Sequence, residues 1–352
     1  MWKRAAGLII LAPLAAVAHP GERLQPDDFW SAWEFDPGVV IPLLVSAFLY
    51  ASGARRHHTL TVPEKAFFWC GWSMLAIALV SPLHPVGEVL FSAHMVQHEI
   101  LMLLAAPLMV LSRPLVTFLW GLPFGWRRCL GRWSKTGYVR RTWRFLTEPF
   151  TAWWIHALAI WIWHAPFLFQ LTLRSDLAHT AQHLSFFLSA LLFWWALFYT
   201  HGRLAYGAAV FYVFTTAVHT SILGALLTFA PHLWYPAYSS TTQAWGLTPL
   251  QDQQIGGLVM WVPAGLVYLV AGLALFAAWL NESDAMLKRT HGAHRRSYDG
   301  RQRVSGRCRD RAIRLRIVSH NFGNLGRSGP RRRLTGRNRR SHIHRRSTAK
   351  HA

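Results

Sequence analysis

The feature that most limits what this chain can fold into is a series of apolar runs, each long enough to cross a bilayer. A helical span needs about 20 mostly apolar residues. Such runs cover roughly 37–53, 66–82, 89–111, 150–166, 179–200, 206–229 and 255–280. Spans of this kind must satisfy their backbone hydrogen bonds internally, which helices do segment by segment. The fold class read from the sequence is therefore all-α: a polytopic membrane helix bundle of seven transmembrane helices behind an N-terminal signal peptide. Residues 1–18 carry that signal: Lys3 and Arg4 as the charged region, Gly7 to Val17 as the apolar region, and Ala16-Val17-Ala18 as the cleavage motif.

Four segments follow from this division: the signal at 1–18, an outer N-terminal segment at 19–36, the seven-span domain at 37–285 and a basic tail at 286–352. Charge separates the last two. From Lys288 onward lie 21 of the 37 Lys and Arg and only two acids, Asp299 and Asp310, a net +19, against +3 before it. The tail lacks apolar periodicity and is expected to be disordered and cytoplasmic, attracted to anionic headgroups. Its abrupt Arg-rich composition also suits a shifted reading frame. No aromatic-interleaved motif accompanies the charge, so nucleic acid is not among the expected partners.

Loop charge sets the orientation. Arg55, Arg56 and Lys65 lie in loop 54–65, and eight Arg and Lys lie in loop 112–149. Loops 83–88, 167–178 and 230–254 hold only Arg174 among them. The basic loops are expected in the cytoplasm. The N-terminus then faces the periplasm of a bacterial inner membrane and the C-terminus the cytoplasm.

Against this background the histidines stand out. His94-Met95-Val96-Gln97-His98 reads H-x-x-Q-H, and the pattern returns as His179-Thr180-Ala181-Gln182-His183. Residues i and i+4 share a helix face, so each pair presents two imidazoles together. Imidazole in an apolar span is costly unless paired or functional. Topology puts both pairs, and His164, toward the outer side. His84 falls in an outer loop, and His156 and His219 fall deeper, where hydrogen bonding between helices explains them. The three cysteines, Cys70, Cys129 and Cys308, form no C-x-x-C or C-x-C motif. A thiolate clamp is thereby excluded, and imidazole is left as the main donor. Candidate metal ligands are His94, His98, His179 and His183, with Gln97, Glu99 and Gln182 as candidate supports. Met95, Met102 and Met260 read as packing. Should cleavage follow Ala18, the new amino terminus at His19 could chelate Cu(II).

Three readings fit such a cluster: transient copper handling, a b-type haem held by two histidines, and a copper or proton transport path. A wider set of residues resembles the CtaG family of cytochrome c oxidase assembly factors, of the multi-span membrane type. The resemblance covers about 28–285. It rests on Trp33 to Pro37, Ser81-Pro82, Phe91 to His98, Ala106-Pro107, Trp163-His164-Ala165-Pro166, His179 to His183 and Asp252 to Gly257. It implies a protein that serves maturation of haem–copper oxidase, handling copper for the oxidase subunits, and it adds His164 to the candidate ligands and Asp252 to the candidate supports. The role expected is non-enzymatic, with oxidase subunits and other copper chaperones as partners. The tail lies outside the resemblance.

Overall fold

The computed structural model describes residues 24–199 and 206–322; the signal segment, His19, and the tail beyond Phe322 lie outside them. Among the described residues the regular structure is helical throughout. The chain divides into two units, Met1–Glu282 and Ser283–Ala352.

In the first unit, five helices are long and apolar enough to cross a membrane. They are α1 (Pro37–Ala54), α4 (Phe91–Leu111), α10 (Asp176–Tyr199), α11 (Tyr206–Thr228) and the Pro249–Asp284 portion of α12, which itself runs Pro249–Phe322. Two bent pairs also qualify: α2 (Val62–Val80) with α3 (Leu83–Val89), and α8 (Pro149–Trp163) with α9 (Pro166–Thr172). Counting each pair as one span gives seven.

The breaks have a local cause. Proline disfavours the helical region for the residue before it. Ser81, before Pro82, is extended at φ −75°, ψ 171°, and Ala165, before Pro166, at φ −60°, ψ 128°. The chain bends by 43° at the first break and 80° at the second. Segments 83–88 and 167–178, expected as outer loops, therefore contain helix. The loop expected over 112–149 is likewise three short helices, α5 (Pro114–Gly121), α6 (Phe124–Trp133) and α7 (Gly137–Leu146). The charges in 112–149 indicate loop, but in α6 and α7 they share each helix with aromatics such as Trp126, Trp133, Tyr138 and Phe145, which stay exposed. Helix also continues to Phe322, where disorder was expected over 286–322. Arginine is a good helix former, and no proline interrupts this stretch.

Burial marks the centre of the bundle. The most apolar window of α4 is 61% buried and that of α10 50%, against 11% in α1 and 17% in Pro249–Asp284. The two helices that carry H-x-x-Q-H are thus the most enclosed of these five. Apolar side chains of α1 and α12, such as Phe48, Leu266 and Leu273, point outward, as lipid-facing positions should. α10 packs against α8 and against the second half of α4, while α2 and α3 pack on α4.

α4 is not a regular helix. Residues Ile100–Ala105 form a π-turn, in which Ala106 N–H bonds to Leu101 O. In that register the carbonyl of Met102 looks to residue 107 for a donor, and Pro107 has none. The indole N–H of Trp194 on α10 donates to it instead, at 2.9 Å. The irregular turn begins two residues past His98 and is held by the partner helix.

Glycine sets one crossing. A Cβ on Gly224 of α11 would stand 2.9 Å from Gly257 O, and one on Gly257 of α12 would stand 2.6 Å from Thr228 N. Only glycine permits this approach.

Candidate metal centre

Six imidazoles converge at one end of the bundle. α4 supplies His94 and His98, with ring centroids 4.3 Å apart. α10 supplies His179 and His183, also 4.3 Å apart. Both pairs show the one-turn spacing that the motif dictates. Across the helices, His94 lies 5.2 Å from His179 and 5.7 Å from His183, and His98 lies 5.3 Å from His183. His164, which ends α8, stands 6.3 Å from His98.

His84 is the residue that sequence reasoning missed. Its place just after Pro82 suggested a loop, but it sits on α3, 5.2 Å from His179 and 6.0 Å from His183. The bend at Pro82 brings it there. Its Nδ1 donates to Glu34 Oε2 at 2.9 Å. That hydrogen bond holds the Glu34 carboxyl below the usual carboxylate range, with partial burial acting the other way. The backbone N–H of Glu34 bonds to Val80 O, so the segment before α1 is tied to the end of α2.

Two trios bring one nitrogen from each ring within 4.8 Å of one another: His94, His98 and His183, and His84, His179 and His183. Imidazoles on one tetrahedral ion have nitrogens roughly 3.3 Å apart, given metal–N bonds of about 2.0 Å. Closing either trio onto an ion would draw its nitrogens together by at most about 1.5 Å.

The hydrogen bonds leave donors bare. Both ring nitrogens of His98, and Nε2 of His164, His179 and His183, are buried without a hydrogen-bond partner among the described residues. His164 Nδ1 donates to Ile160 O at 2.7 Å, which fixes the tautomer and turns a lone pair outward from Nε2. His94 Nδ1 lies 3.3 Å from Gly87 O and must donate to it; its Nε2 is 3.2 Å from Gln182 Oε1. With neutral His94 these two atoms oppose lone pairs. Turning the Gln182 amide would present its Nε2, which otherwise has no partner, as a donor. Buried polar groups are rarely left unpaired. Five such imidazole nitrogens, on His98, His164, His179 and His183, fall in this one cluster.

The remaining candidates divide by role. Gln97 donates to Ala78 O at 2.7 Å and ties α4 to α2 rather than touching an imidazole. Glu99 joins neither trio, and its buried Oε2 has no partner among the described residues. Asp252 lies in the first turn of α12, not at the mouth of a loop, since the helix begins at Pro249. Its carboxylate accepts Phe91 N–H at 2.6 Å and Ser92 N–H at 3.0 Å, capping the helix that carries His94. Gln253 Oε1 accepts Trp234 N–H at 2.7 Å. This loop lies against the site: Tyr235 donates to His164 O at 2.8 Å and Tyr238 to Gly87 O at 2.9 Å. Phe91, Phe169 and Phe186 complete an aromatic wall around the imidazoles. His156 bonds Ser189 and His219 accepts from Trp161, both away from the cluster.

The chain is 26% identical over 270 residues to uncharacterized proteins of Mycobacterium bovis and Mycobacterium tuberculosis, and 25% identical over 279 residues to one of Mycobacterium leprae. Each alignment covers 74% of this chain and 41% of the relative, so the chain spans less than half the length of these proteins. No solved structure matches. The pattern described as cytochrome c oxidase caa3 assembly factor (CtaG) matches residues 48–282, the stretch that holds all six clustered histidines, and the chain belongs to that family.

Proposed function

We propose that this protein serves cytochrome c oxidase assembly by carrying copper, as cargo, in the histidine cluster between α3, α4, α8 and α10. One observation carries the reading: two imidazole trios whose nitrogens lie within 4.8 Å of one another, with His98, His179 and His183 offering buried nitrogens that have no hydrogen-bond partner among the described residues. Imidazole suits copper, and a site without thiolates releases its ion more readily than one locked by cysteine. Ligand exchange is then the chemistry, with no bond made or broken in a substrate. Gln182 would cover the His94 lone pair when the ion has left.

The packing favours a bare ion over haem. Rings 4.3–5.7 Å apart leave no slot between α4 and α10 for a porphyrin disc. The distribution of loop charge supports a bacterial inner-membrane protein with the cluster on the periplasmic side, where it would meet oxidase subunits and other copper chaperones.

Single replacement of His94, His98, His179 or His183 by Ala tests this. Each variant should insert normally and lower oxidase activity in cells, and those of His94, His98 and His183 should also hold less copper. Normal oxidase maturation with all four variants would overturn the reading.

A further inference from the structure

The two imidazole trios share His183 and differ in access. The His84 side chain keeps 15% of its surface exposed, whereas His94 and His98 are 0% and 1% exposed. His179 and His183 lie between, at 8% each. Exposure thus falls in order from His84, through the α10 pair, to the α4 pair.

We propose that His84, His179 and His183 form a second ion position, a port through which copper reaches and leaves the deep trio of His94, His98 and His183. This rests on the copper reading above. His183 is the hinge of the transfer. An ion on the port is already bound to one ring of the deep trio, so His94 and His98 need only displace His84 and His179. Each step replaces one nitrogen lone pair with another, and the ion keeps its oxidation state. No thiol or external reductant takes part.

Glu34 is the positioning residue of the port. By accepting from His84 Nδ1 it orients the ring so that Nε2 carries the free lone pair, as carboxylates do behind many metal-bound histidines. The carboxylate comes from the segment before α1, and is itself 44% exposed. The port is therefore assembled by three chain segments (that segment, α3 and α10), while the deep trio is built by α4 and α10 alone.

The test uses the full-length protein in detergent, loaded with one equivalent of Cu(I). Transfer to a cuprous-specific chelator is followed by stopped-flow absorbance, with helix content checked by circular dichroism. His84→Gln should keep its copper yet slow both loading and release by about tenfold, the scale on which metal sites respond to lost supporting contacts. His98→Gln should instead lose retention of the ion. Glu34→Ala should slow exchange and Glu34→Asp restore it, which a merely structural role for Glu34 would not produce. Wild-type exchange rates in His84→Gln would overturn the port while leaving the copper reading intact. Loss of the bound ion in His84→Gln would also overturn it, since the six rings would then act as one site. A wild-type protein that binds no copper would overturn both.

Discussion

Asp252 accepts the backbone N–H of Phe91 at 2.6 Å across 161 residues of sequence. The carboxylate of α12 thereby closes the first turn of α4, three residues before His94. Helix starts leave several N–H groups without intrahelical partners, and in a bilayer these cannot turn to water. Asp252 thus ties α12 to the start of the helix that carries His94 and His98.

Asp252→Ala should lower stability by about 2 kcal/mol, the upper range for a lost N-cap. It should also reduce copper retention by loosening His94. Thermal unfolding in detergent checks the first outcome and metal content the second. Asp252→Asn, which still accepts, should lie between wild type and alanine.

Trp194 offers a sharper test of the π-turn. Trp194→Phe leaves the Met102 carbonyl without its donor and should cost about 1–3 kcal/mol. Pro107→Ala supplies a backbone N–H at the position that the π register needs. The double variant should therefore lose less than the sum of the two singles, which a double-mutant cycle on unfolding measures.

Gly257→Ala should be far more damaging than Gly265→Ala or Gly272→Ala. A Cβ at Gly257 meets backbone of α11, whereas at the other two it meets nothing within 4 Å. Overpacking of this kind costs typically about 1–3 kcal/mol. The same unfolding assay ranks the three, and equal losses would contradict the close crossing.

His156→Gln separates clustered histidines from merely buried ones. His156 is 1% exposed but bonds Ser189, away from both trios. Copper content should be unchanged in this variant.

How much of this could be read beforehand depended on range. Pro37–Ala54 and Tyr206–Thr228 match the expected spans 37–53 and 206–229 almost to the residue. Their ends are set by local signals, Asp36-Pro37 at one start and, in the other, a run without Asp, Glu, Lys, Arg or Pro. The H-x-x-Q-H pairs were legible for the same reason, because i,i+4 spacing fixes a shared face. What escaped was set by tertiary contact. His84 looked like a loop residue because nothing local says that the bend at Pro82 returns it to α10. Asp252 was legible as a support but not as a cap of α4, because its partners, Phe91 and Ser92, are distant in sequence. The Arg-rich stretch 112–149 looked like loop because its charges were weighed without the aromatics between them.

The central claim is that the clustered imidazoles hold copper, and X-ray absorption at the copper edge of the loaded, purified protein tests it most directly. The account predicts nitrogen neighbours only, at about 2.0 Å, with the outer-shell scattering of imidazole, diminished in His98→Ala and His183→Ala. Sulfur neighbours, or a spectrum unchanged in both variants, would contradict it.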